Sequence, residues 1–143
     1  MRTITTRKRR LGVGELQQLK QKTRSGLESQ TLDLLNAYKI PYQYEPKDKK
    51  IEWHKPITYH KYLPDIIIGG KIYEIKGYFD KMSRDKMVAI CEQHPHLDIT
   101  IVFQKDQPIR KGSKTMYSDF CQKKGLKFMF IEEFKQMIRN NKL

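Results

Sequence analysis

Residues 62–77 read Tyr62-Leu63-Pro64-Asp65-Ile66-Ile67-Ile68-Gly69-Gly70-Lys71-Ile72-Tyr73-Glu74-Ile75-Lys76-Gly77. Two isoleucine-rich runs meet at Gly69-Gly70, a pair that accepts the positive φ values a two-residue hairpin turn demands. That turn fixes the register: Ile68 faces Lys71, Ile67 faces Ile72, Ile66 faces Tyr73, and Asp65 lies opposite Glu74. Directly opposed residues hold their Cβ atoms roughly 4.5–5.5 Å apart, so two like charges there repel unless a cation sits between them. Side chains alternate along a strand, which puts Glu74 and Lys76 on one face and Ile75 on the other, in the core. The hairpin therefore presents two carboxylates and an ammonium together.

Those groups suit phosphodiester cleavage, which needs an activated water, charge relief on the phosphoryl oxygens and help for the leaving alkoxide. Metal ions held by carboxylates supply all three. Mg²⁺ takes one or two carboxylates and completes its shell with water and substrate oxygens, so Asp65 and Glu74 are the right number and type. The backbone carbonyl of Ile75 can add a ligand, and Lys76 can orient the attacking water or stabilise developing negative charge. The plainer account of the same residues is a salt bridge between Lys76 and Glu74 in motifs as short as Pro-Asp and Glu-x-Lys.

Upstream, Ser25-Gly26-Leu27-Glu28 has the form of a capping box, followed by Leu32, Leu34, Leu35 and Tyr38 on a helical period. A helix from Leu27 to Lys39 is predicted, stopping before Pro41, and by spacing alone Glu28 reads as the cap of its own helix. Residues 41–62 alternate aromatic and β-branched residues with polar ones and read as strands or a long ribbon able to connect two parts of the molecule. Residues 1–24 carry eight basic residues (Arg2, Arg7, Lys8, Arg9, Arg10, Lys20, Lys22, Arg24) against the single acid Glu15. That composition is expected of a flexible tail that still contributes phosphate contacts.

Downstream, Met87, Ile90 and Cys91 mark a helix from Ser83 to Gln93 that stops at His94-Pro95. Strands are predicted at Asp98 to Phe103 and Leu126 to Phe130, and helices at Thr115 to Lys124, closed by Gly125, and at Ile131 to Asn140. The order is helix, strands, helix, strand, helix, strand, helix. It implies an α/β fold, a central mixed sheet flanked by helices, in one domain over residues 25–143.

The chain has 143 residues, enough for one core, and a formal net charge of +13. Such an excess favours polyanions, with nucleic acid ahead of an anionic membrane surface. No apolar run approaches a membrane span and no signal-peptide core opens the chain, so the expected location is the cytoplasm. Cys91 and Cys121 are too few for a disulfide framework or a zinc site and read as small buried thiols. Lys105, Arg110, Lys111 and Lys114 read equally as phosphate contacts or as a solvated basic loop. Of the histidines, His94 ends a helix and His96 follows it, while His54 and His60 are the better candidates for touching substrate.

Pro64-Asp65 followed by Glu74-Ile75-Lys76 is similar to the PD-(D/E)xK nuclease signature. Arg24-Ser25-Gly26-Leu27-Glu28, Tyr62-Leu63-Pro64-Asp65, Glu74-Ile75-Lys76-Gly77, Glu92-Gln93-His94-Pro95-His96-Leu97-Asp98-Ile99 and Lys111-Gly112-Ser113, with Tyr117, Phe120-Cys121 and Gly125, together resemble the bacteriophage endonuclease I family of junction-resolving enzymes. The likeness runs from Arg24 to Phe128. It implies a restriction-endonuclease-like fold and a Mg²⁺-dependent endodeoxyribonuclease, with Mn²⁺ as a substitute, that cuts four-way (Holliday) junctions and other branched DNA. It also implies an intertwined homodimer in which Glu28 of one chain joins Asp65, Glu74 and Lys76 of the other, with residues 41–62 as the bridge. On this implication Asp65 and Glu74 hold metal, Glu28 joins them as a further acidic ligand, and Lys76 is the catalytic amine. Two other readings remain: a restriction- or repair-type nuclease of the same fold, and a non-catalytic basic DNA-binding protein.

Overall fold

A computed structural model describes residues 26–55 and 58–143. The basic N-terminal segment with Arg7, Lys8, Arg9, Arg10, Lys20, Lys22 and Arg24, and Ser25 of the capping box, lie outside the described residues. Helix α1 (Gly26–Ala37) is followed by the short strand β1 (Gln43–Tyr44), a 3-10 turn (Lys47–Lys49), and strands β2 (Ile51–Lys55), β3 (Thr58–Tyr62), β4 (Ile66–Ile68) and β5 (Lys71–Lys76). Then come α2 (Lys81–Gln93), β6 (Ile99–Phe103), α3 (Tyr117–Lys124), β7 (Lys127–Phe130) and α4 (Ile131–Arg139). The predicted order holds throughout, with boundaries within about two residues, the usual fraying of helix ends.

Five strands form one mixed sheet in the order β1-β4-β5-β6-β7. β1, β4 and β5 run antiparallel, and β5, β6 and β7 run parallel. The central hairpin has the register its turn dictates: Ile66 opposite Tyr73, Ile67 opposite Ile72, Ile68 opposite Lys71. Gly69 and Gly70 both take positive φ, 55° and 80°, as a two-residue turn of this hand requires. Both crossover helices, α2 and α3, land on one face, as successive crossovers of the same hand must. There Met87, Ile90, Tyr117 and Cys121 pack on Ile72, Ile99, Ile101 and Phe103. On the opposite face α1 and α4 place Leu35, Phe134 and Ile138 against Ile66, Tyr73, Ile75 and Val102. The period-2 alternation of β5 is thus visible in the core: Ile72 goes to one face, Tyr73 and Ile75 to the other.

Residues 41–62 form short strands around a charged turn, as their alternation predicts. Their first strand joins the main sheet, and β2 and β3 fold back as a separate two-stranded ribbon, Trp53 opposite His60 and His54 opposite Tyr59. The ribbon is fastened to the end of α2. The Gln93 amide donates to the His54 carbonyl at 2.7 Å and accepts from the His54 N–H at 2.8 Å, a side chain imitating a neighbouring strand. His94 bonds the Glu52 carbonyl, and the buried Trp53 joins the core beneath. Helix α2 begins earlier than its apolar period suggests because Asp80 caps it, accepting from the Ser83 N–H at 2.8 Å. Gly125 ends α3 in the left-handed conformation. Cys121 is buried as expected, whereas Cys91 is only half-buried because it falls on the flank of α2.

Candidate active site

The end of the hairpin is where charge is taken out of water. Glu28, Asp65 and Glu74 are respectively 5%, 2% and 2% exposed. Asp65 follows Pro64 just before β4, and its Oδ2 accepts from the Ile75 N–H at 2.9 Å. The hairpin's last rung is thus closed by a carboxylate in place of a backbone carbonyl. Glu74 lies on the face opposite Ile75, as alternation predicts. Its Oε2 accepts from the Tyr62 hydroxyl at 2.5 Å, and its Oε1 is 2.9 Å from Lys76 Nζ. Both carboxylate oxygens of Glu74 therefore have partners, one neutral and one cationic. The salt bridge foreseen as the plain account of Lys76 does form, but against a buried acid rather than at the surface.

Helix α1 brings in Glu28 from the other side, where the Tyr44 hydroxyl donates to its Oε2 at 2.7 Å. Within one chain, then, Glu28 meets Asp65. A further acid that the sequence did not single out completes the group: oxygens of Glu28, Glu45 and Asp65 all lie within 4.8 Å of one another. Glu45 follows β1, its N–H donates to the Asp65 carbonyl at 3.0 Å, and its φ is 42°. A non-glycine residue pays about 1–2 kcal/mol for the left-handed region, and strain of this kind gathers at functional sites. No spacing rule reveals Glu45, since a two-residue strand has no period; the only local hint is its place between Tyr44 and Pro46.

The electrostatics follow from the burial. The Asp65 carboxyl is pushed up to about 7, first by desolvation and then by the charge of Glu74, with Glu28 adding to the rise; the Ile75 N–H and Lys76 pull the other way. Burial and the negative charge of Glu74 also drive the Tyr62 hydroxyl well above its usual range, so it stays a proton donor to Glu74. A carboxylate that holds its proton this tightly is a site short of positive charge. Three converging carboxylate oxygens, all hard donors, fit a Mg²⁺-like cation in kind, with one acid more than the one or two carboxylates such an ion commonly takes. The Ile75 side chain is buried on the helix α1 and α4 face, and it is its N–H that touches Asp65.

The other candidates spread outward. Lys105, Arg110, Lys111 and Lys114 are exposed on the segment joining β6 to α3. His54 and His60 stay on the ribbon, His60 stacked on Trp53 with ring centroids 4.6 Å apart, and no histidine joins the acid group among the described residues. A groove of about 620 Å³ opens between the hairpin tip and the 3-10 turn, lined by Pro41, Ile51, Ile67, Ile72 and Leu97 among others, and none of the site acids lines it.

A mixed sheet that ends one hairpin in buried carboxylates and a lysine, on a chain this basic, has the groups a nuclease uses. The family model for phage endonuclease I matches residues 13–138. Endonuclease I of Escherichia phage T7 is 40% identical over 107 residues, covering 73% of this chain and 70% of that protein. Endodeoxyribonuclease 1 of Enterobacteria phage T3 is 38% identical over 107 residues, covering 73% and 69%. The chain belongs to the phage endonuclease I family, as the resemblance of its motifs implied, and is an endonuclease.

Proposed function

We propose that this endonuclease acts on DNA, resolves four-way junctions and cuts other branched DNA, and depends on a divalent cation, Mg²⁺ or in its place Mn²⁺. The observation that carries the reading is the convergence of buried Glu28 and half-buried Glu45 on buried Asp65, beside the Lys76 ammonium, in a chain with a formal charge of +13. Glu28, Glu45 and Asp65 would hold the cation, with Glu74 and the Ile75 carbonyl at its margin. When bound, the cation supplies charge relief on the phosphate and a more acidic water. The chain's own groups do the rest. Lys76, steered by Glu74, places its ammonium where a phosphoryl oxygen or the attacking water needs a donor. Tyr62 holds Glu74 in orientation from behind. Lys105, Arg110, Lys111 and Lys114, with the basic residues of the N-terminal segment, engage the phosphate backbone, where each contact releases counterions. Two such sites are needed to cut both strands of a junction, and the reading includes a homodimer that exchanges α1 between chains.

The test is cleavage of a labelled four-way junction in Mg²⁺ beside a linear duplex of the same sequences. The expected result is cutting of the junction well above the duplex and none in chelator. Equal cutting of both overturns junction selectivity, and salt-sensitive binding without cleavage under any divalent ion overturns the catalytic reading.

A further inference from the structure

Arg84 is 8% exposed, yet among the described residues no carboxylate lies within ion-pair distance of it. Its Nη1 donates to the Phe79 carbonyl at 2.8 Å and to the Ile109 carbonyl at 2.9 Å, and its guanidinium carbon lies 5.6 Å from the centre of the Phe120 ring. Burying a guanidinium is costly unless its donors are met. An apolar side chain would fill the same space without that cost. What it could not do is hold two carbonyls from different segments at a fixed separation.

The segments are informative. Phe79 lies in the turn that leaves β5, three residues beyond Lys76. Ile109 lies in the connection 104–116, and Phe120 on α3. The same strand end and connection meet at other points: the Gln104 N–H donates to the Lys76 carbonyl at 3.2 Å, Gln107 to the Gly77 carbonyl at 3.3 Å, and the Phe79 N–H to the Tyr117 hydroxyl at 3.1 Å. The connection itself is a small projecting hairpin. A bridge between Pro108 and Met116 and a bond from the Ile109 N–H to the Thr115 carbonyl close its base, and Gly112, with φ 77°, turns its tip. Arg110, Lys111 and Lys114 are exposed on that tip, and none is ion-paired among the described residues. Arg84 bonds the base of the projection, one residue before Arg110.

We propose that Arg84 is a positioning residue: it fixes the cationic tip of the 104–116 projection relative to Lys76 and Asp65, so that the phosphate gripped by Arg110 and Lys111 determines which phosphodiester reaches the acids. The proposal rests on the DNA-cleaving reading above. Arginine suits the task because one nitrogen can serve both carbonyls while the planar group lies against Phe120.

The experiment measures binding of a labelled four-way junction without divalent cation over a salt series, for wild type, Arg84→Gln, the pair Arg110→Ala with Lys111→Ala, and all three together. Cut positions are then mapped in Mg²⁺. The pair is expected to lower the salt slope by about 2. Arg84→Gln alone is expected to weaken binding about tenfold, the worth of one charge-assisted hydrogen bond, and to spread the cuts over neighbouring nucleotides. Added to the pair it should cost less than about twofold more, because residues acting through one another are not additive. Losses that multiply, or wild-type affinity and cut positions in Arg84→Gln, overturn the proposal. Where circular dichroism shows Arg84→Gln unfolded, Arg84→Lys takes its place under the same criteria. A wild-type protein that neither binds nor cuts the junction overturns the function instead, which separates the two failures.

Discussion

Asp65 carries the most consequential single group in the molecule, because on the proposed metal-dependent reading its proton and a cation would compete for the same place. Its carboxyl sits at about 7 against an ordinary 3.8, so between those values the folded chain keeps a proton that the unfolded chain has released. Stability is then highest below about pH 4 on this account and falls as pH rises through 7. The metal-free protein is expected to melt at a lower temperature at pH 8 than at pH 5, Mg²⁺ should recover much of the difference at pH 8, and Asp65→Asn should flatten the dependence in that window. A melting temperature independent of pH from 5 to 8 in the wild type would show the carboxyl is not held this way. Cleavage supplies the matching prediction: Asp65→Ala and Lys76→Ala are each expected to abolish cutting while junction binding survives, and full activity in either variant removes that residue from the mechanism. Asp65, Glu74 and Lys76 were legible because all three lie on one hairpin whose register is local. Glu45 and the buried Arg84 were not, since a left-handed residue after a two-residue strand and a cation folded under a connection are products of tertiary contact.

At the scale of elements, the β4–β5 hairpin depends on its turn more than on any one contact. A Cβ at Gly70 meets nothing within 4 Å, so Gly70→Ala tests conformation alone. With φ at 80° the substitution is expected to cost about 1–2 kcal/mol, read as a lower urea midpoint. Cleavage well below the melting temperature should be unchanged, because Ile66, Tyr73 and Ile75 remain buried on the α1 and α4 face and hold the register. Loss of cutting in a folded Gly70→Ala protein would mean that the register had slipped, since a slip of one residue reverses every side chain of the strand. The same reasoning explains what the sequence told of the elements. Strong periods gave α1, α2 and α4 and the parallel strands, and Gly-Gly gave the hairpin. The strands of the β2–β3 ribbon were legible by their alternation, but its fastening to α2 was not: the amide of Gln93 and the ring of His94 supply bonds that no periodicity announces.

At the scale of the whole molecule, the question is which chain completes which site. Among the described residues, α1, β1 and Glu45 all precede the ribbon, while Asp65, Glu74 and Lys76 all follow it, so one crossing divides the acids into two sets. Exchanging the first set between two chains would remake every contact seen here, Tyr44 with Glu28 and Glu45 with the Asp65 backbone included, at little cost beyond the path of the connecting chain. A mixture of Glu28→Ala and Asp65→Ala chains, each inactive alone, distinguishes the arrangements. Without exchange, every chain carries its own lesion and no site is intact. With exchange, a mixed dimer gathers both lesions in one site and leaves the other whole, so random assortment should restore about a quarter of wild-type sites. The product expected first is a junction nicked on one strand, because each mixed dimer has one working centre. If mixed dimers form and no cutting returns, Glu28 serves the acids of its own chain, and the two sites of a dimer are joined by something other than α1.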